Sequence, residues 1–69
     1  MNEDSLNMEI RRFLKKVGIT SQRIIEKEIY NADKNGNLKA GDNITLEMTL
    51  RINEFNSTHA IKGKINIEK

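Results

Sequence analysis

Apolar residues near the start of the chain recur at helical spacing. Leu6, Ile10, Phe13, Leu14 and Val17 fall at i, i+4, i+7, i+8 and i+11, a stripe that predicts an amphipathic helix. Asp4 or Ser5 stands where an N-cap is needed, and Glu3 adds negative charge at the positive end of the dipole. Lys15 and Lys16 fall in the last turn, and Gly18 offers the left-handed residue that commonly ends a helix. A second helix is expected from Thr20 as N-cap. Ile19 and Ile24 would then occupy N′ and N4, the two positions of a hydrophobic staple. Ile25, Ile29 and Ala32 continue its apolar face, while Gln22, Arg23, Glu26 and Lys27 point toward water. The run "NADKNGN" ends the helix, and loop follows to about Asp42.

From Asn43 the period changes from 3.6 to 2. Ile44, Leu46, Met48, Leu50 and Ile52 alternate with Thr45, Glu47, Thr49 and Arg51, the signature of a half-buried strand. The last segment alternates on odd numbers, with Phe55, Ile61, Ile65 and Ile67 apolar. A two-residue turn at Asn53-Glu54 pairs Ile52 with Phe55, Leu46 with Ile61 and Met48 with His59, putting both apolar rows on one face. A longer loop through Asn56-Ser57 keeps the same parity. The predicted fold is α+β, in the order α-α-β-β. Two N-terminal helices pack on one face of a C-terminal antiparallel β-hairpin, in one domain spanning residues 1–69. Phe13, Ile25, Ile29, Leu46, Leu50 and Ile65 are the expected core, since a lone hairpin is marginal in water.

Composition narrows the function more than the fold. At 69 residues the chain sits near the size where a single core is marginal. Hydrophobic residues are 36% and charged residues 32%, a balance that suits a folded domain better than a disordered one. The absence of cysteine removes disulfides, thiolate zinc sites and cysteine nucleophiles together. No signal peptide or long apolar run is evident, so a cytoplasmic location is expected. A net charge of +2 permits an acidic partner without requiring one, because nucleic-acid binders of this size usually concentrate more positive charge. Phe13, Tyr30 and Phe55 are too few for a base-stacking platform.

Four stretches invite a chemical reading. Lys15 to Ile29 has the look of a helix-turn-helix around Gly18, Ile19 and Ile24. Against this, Leu14 stands where a small residue normally lets the helices cross, a third helix is missing, and Glu26 and Glu28 repel phosphate. Arg11, Arg12, Lys15 and Lys16 form a basic cluster, extended by Arg23 and Lys27 into a candidate binding patch. The segment "IRRFLKKVG" also has the pattern of a membrane-surface helix, although a solvated outer face is the simpler account. "DKNGN" imitates the start of a calcium loop with Asp33, Asn35 and Asn37, but Leu38 and Ile44 stand where glycine and a bidentate glutamate are required. His59 is the sole histidine, and by parity it lies with the apolar row. One histidine with scattered carboxylates makes no metal set and no acid–base pair. No catalytic, cofactor-binding or metal-binding residue is expected.

The opening residues carry a resemblance. "MNED", "LNM", "FLKKVG" and "TSQR" make the first part of the chain similar to a family of short bacterial proteins known as a domain of unknown function. The likeness is good over roughly the first 30 residues and looser through the hairpin. It implies a bacterial source, a cytoplasmic location and a chain that is complete as given, and it implies no activity. Relatives tend to have a glycine-rich hairpin turn, from which Asn53-Glu54 departs.

The expected function is therefore a non-enzymatic interaction module that binds another protein or itself. If it binds itself, the strand from Asn43 to Ile52 is the expected pairing edge of a homodimer, since Lys62 and Lys64 guard the other strand. A weak nucleic-acid binder using the first-helix cluster and Arg23 is the competing expectation.

Overall fold

The computed structural model describes residues 1–68. Two compact units divide the chain, Met1–Asn35 and Gly36–Lys69. The first is a single helix, α1, spanning Glu3–Lys34. The second is a hairpin of β1, Asn43–Ile52, and β2, Ser57–Asn66, joined through a short 3-10 turn at Asn53–Phe55. The class is α+β, but with one helix rather than two.

That correction has a physical cause. Gly18 is not among the residues with positive φ, so it does not act as a left-handed cap. A glycine inside a helix costs about 1 kcal/mol relative to alanine, a small charge on 32 residues of helix. What carries the helix through is phase, because Val17 and Ile24 are seven residues apart and share one side. Ile24, Ile25 and Ala32 of the second predicted stripe continue the first, while Ile29 falls roughly 40° beyond its edge. Ile19 and Ile24, five residues apart in a continuous helix, lie on different sides and form no staple.

Both true ends of α1 are well marked. Asn2, rather than Asp4 or Ser5, is the N-cap: its side-chain oxygen accepts from the Ser5 backbone N–H at 3.0 Å. Glu3 and Asp4 place negative charge in the first turn, as the dipole favours. At the other end Asn35 is the C-cap, with its N–H bonded back to Asn31 and Asp33 carbonyls. Gly36 follows with φ of 74°, the left-handed conformation that closes helices.

The hairpin unit is tied at its base. Asp42 N–H donates to the Lys39 carbonyl at 3.1 Å, and Gly41 takes φ of 89°, the positive value a type II turn requires in its third position. The Asp42 carboxylate accepts from Lys39 N–H at 2.9 Å. Gly41 N–H donates to the Ile67 carbonyl, and Ile67 N–H donates to Asp42. These bonds extend the ladder past the ends of both strands.

Strand register differs from the two-residue turn. Ile44 pairs with Ile65, Met48 with Ile61, Leu50 with His59 and Ile52 with Ser57. Four residues, Asn53 to Asn56, make the connection, and Asn56 sits in the left-handed region at φ 51° and ψ 36°. Asparagine tolerates that conformation, whereas Glu54 would fit a two-residue primed turn poorly. The parity is the one predicted, but Phe55 leaves the strand and becomes exposed.

The expected core is not formed. Phe13 is 55% exposed and Leu50 is exposed. Ile25, Ile29, Leu46 and Ile65 are only half-buried. Among the described residues Leu38, in the connector, is the one buried apolar side chain, at 7% exposure.

Candidate interaction site

Helical geometry gathers the apolar residues of α1. At 3.6 residues per turn, Leu6, Ile10, Phe13, Leu14 and Val17 share an arc of roughly 120° with Ser21, Ile24, Ile25, Glu28 and Ala32. The pattern repeats at eleven residues: Leu6 leads to Val17, Phe13 to Ile24 and Leu14 to Ile25. Eleven residues are close to three full turns, so the stripe runs nearly straight along the helix. Its large members face water, with Leu14 at 54% and Ile24 at 58% exposure. An isolated helix draws little stability from propensity alone, and most comes from packing an apolar face. Here that face has nothing against it within its own unit.

On the opposite side Met8, Ile19 and Tyr30 also lie eleven residues apart and are exposed. Sequence reading missed this line because a break at Gly18 destroys its period.

The six basic residues of the candidate patch all lie within α1 and all are exposed. Arg11, Arg12, Lys15, Lys16, Arg23 and Lys27 spread over the side away from the stripe, interleaved with Glu9 and Glu26. Arg12 pairs with Glu9 at 3.0 Å, with both side chains well exposed, an arrangement worth little. Lys15–Ile29 contains no turn, so the helix-turn-helix reading of that segment does not stand.

The hairpin presents a second apolar face. Ile44, Leu46, Met48, Leu50 and Ile52 line it from β1, with Ile65, Gly63, Ile61, His59 and Ser57 opposite them. Ile61 is 60% exposed, and Met48, Leu50 and Ile52 are exposed as well. Gly63 leaves open space across from Leu46. The other face is polar, with Glu47 opposite Lys62 and Thr45 opposite Lys64.

His59 lies across from Leu50 rather than Met48. Its neighbour on the same face is Ser57, two residues away, with Ser57 Oγ and His59 Nε2 in hydrogen-bond contact. Asp33, Asn35 and Asn37 belong to the helix end and connector, and no cluster of three or more metal-ligating side chains occurs among the described residues. No helix among them is long and apolar enough to cross a membrane.

One amphipathic helix and one amphipathic hairpin, each with an exposed apolar face, define a small α+β protein. The chain belongs to DUF6494, a family of unknown function, whose model matches residues 1–68. No curated protein and no solved structure gives a significant match.

Proposed function

We propose that the chain is a non-enzymatic interaction module whose apolar faces are completed by another polypeptide. One observation carries this reading: Leu38 alone among the described apolar side chains is buried. A 69-residue chain needs nearly all its apolar surface to offset the entropy of ordering. Contiguous exposed apolar surface of this kind marks sites of protein contact. The setting we infer, from the resemblance of the opening residues, is the bacterial cytoplasm.

Nucleic acid is the weaker partner. Six basic residues favour it, but Glu9 and Glu26 lie among them and the net charge is only +2. A salt titration against generic duplex DNA separates the two readings. Phosphate binding must weaken steeply between low and moderate salt, whereas the interaction module shows no salt-sensitive binding at all. The module reading also requires a broad, weakly cooperative melt for the dilute chain alone. A sharp two-state transition of the monomer would contradict it.

A further inference from the structure

We infer that the partner is a second copy of this chain, packed helix against helix in antiparallel fashion through the apolar stripe of α1, with the two-fold axis at the level of Ile19. The inference rests on the interaction-module reading and names the occupant of its main surface.

The stripe on α1 is a positional palindrome. Counted outward from Ile19, Val17 mirrors Ser21, Leu14 mirrors Ile24, Phe13 mirrors Ile25, and Leu6 mirrors Ala32. The remaining position, Ile10, mirrors Glu28. A two-fold axis at that level therefore sets every stripe residue of one helix against a stripe residue of the other, as an isologous interface demands. Large meets small near the axis and at the ends, while large meets large between. Ile19 is also next to the centre of Glu3–Lys34, so the overlap covers the whole helix.

Charge selects the direction. Between Leu6 and Ala32, Glu28 is the one ionised residue inside the stripe. In a parallel, in-register pair it would meet its own counterpart in an apolar seam, where like charges are costly. Turned antiparallel, Glu28 faces Ile10 and lies beside the partner copy's Arg11. On one flank Glu9 then lies within a turn of Lys27 across the seam. The eleven-residue phase matters too, because a straight stripe lets both ends engage without strong supercoiling.

The test uses the full chain, whose lack of cysteine gives a clean background. Sedimentation equilibrium from low to high micromolar should show a monomer–dimer equilibrium. Leu14→Cys and Ile24→Cys proteins, mixed and oxidised, should cross-link to each other and not to themselves. Glu28→Lys should weaken the dimer on the order of tenfold or more by setting a second positive charge beside the partner copy's Arg11, and adding Arg11→Glu should restore it. Self-linking of each cysteine variant would overturn the antiparallel pairing and leave the module reading intact. So would a dimer that survives Leu14→Glu with Ile24→Glu, since strand-edge pairing through β1 would then hold it. A monomer at every concentration overturns the inference. In that case the cooperativity of its melt decides the module reading separately, with a broad melt keeping it and a sharp one ending it.

Discussion

Ser57 Oγ and His59 Nε2 lie 2.7 Å apart on one face of β2. The contact follows from the strand period, since residues two apart share a face. It closes the distal end of the hairpin's apolar face with two polar groups, opposite Ile52 and Leu50. A serine nucleophile needs more than a histidine. Its base must be oriented by a third group, and donors must wait for the oxyanion. Both residues here stand on an open strand.

Fluorophosphonate labelling tests the proposal that this pair does not act as nucleophile and base. The expected result is no modification of Ser57 at any pH between mildly acidic and mildly basic. Ser57→Ala should cost no more than about 1 kcal/mol of stability, the ordinary net value of a hydrogen bond. Rapid labelling at Ser57 would refute the non-enzymatic reading.

Gly18 distinguishes one helix from two by the sign of a single substitution. A Cβ built there meets nothing within 4 Å, and the backbone is not left-handed. Gly18→Ala should therefore stabilise the helix by about 1 kcal/mol through propensity. Had Gly18 been a left-handed cap, the same change would destabilise by roughly 1–2 kcal/mol. Far-UV circular dichroism during thermal melting reads the sign.

Asn56 carries the hairpin connection at φ 51°. Asn56→Gly should be neutral or slightly stabilising, because glycine enters the left-handed region freely. Asn56→Val should cost roughly 1–2 kcal/mol, since a β-branched residue resists that region. Urea denaturation of the two variants, compared at one protein concentration, tests the pair.

Phe13 gives a concentration-dependent prediction. At 55% exposure, Phe13→Ala in dilute solution should cost well under the roughly 3–5 kcal/mol of a fully buried phenylalanine. At high micromolar concentration the deficit should grow, because the ring then packs in the seam between copies. A deficit that does not change with concentration would place Phe13 outside any interface.

Much of the fold was legible in the residues, and the failures share a cause. Strict alternation from Ile44 to Ile52 specified β1 and its apolar face, because a one-residue slip would expose the whole row. The loop was harder, since both a two-residue and a four-residue connection keep parity. Only the backbone demand at Asn56 separates them. At Gly18 the local signals were permissive: glycine can end a helix, Thr20 can begin one, and Ile19 with Ile24 can staple it. Phase outweighed them, because Leu6 through Ala32 hold one stripe. The candidate site inherited that error. Neither the mirror about Ile19 nor the line of Met8, Ile19 and Tyr30 exists until the helix is continuous. The basic residues were read correctly as solvent-facing, but a helix-turn-helix could not survive the loss of its turn.

Leu38 as the lone buried apolar residue among those described has a further consequence, for the cell rather than for the fold. Stability that comes from association scales with the logarithm of concentration. If the antiparallel pair inferred above forms, each chain is protected to a degree that grows with how many others have been made. At low copy number the exposed stripe and hairpin face are open to proteases that capture partly unfolded chains. At high copy number the same chains shelter one another. Abundance of such a pairing protein would then act as a threshold on its own lifetime, so that a modest change in expression becomes a larger change in the amount that persists.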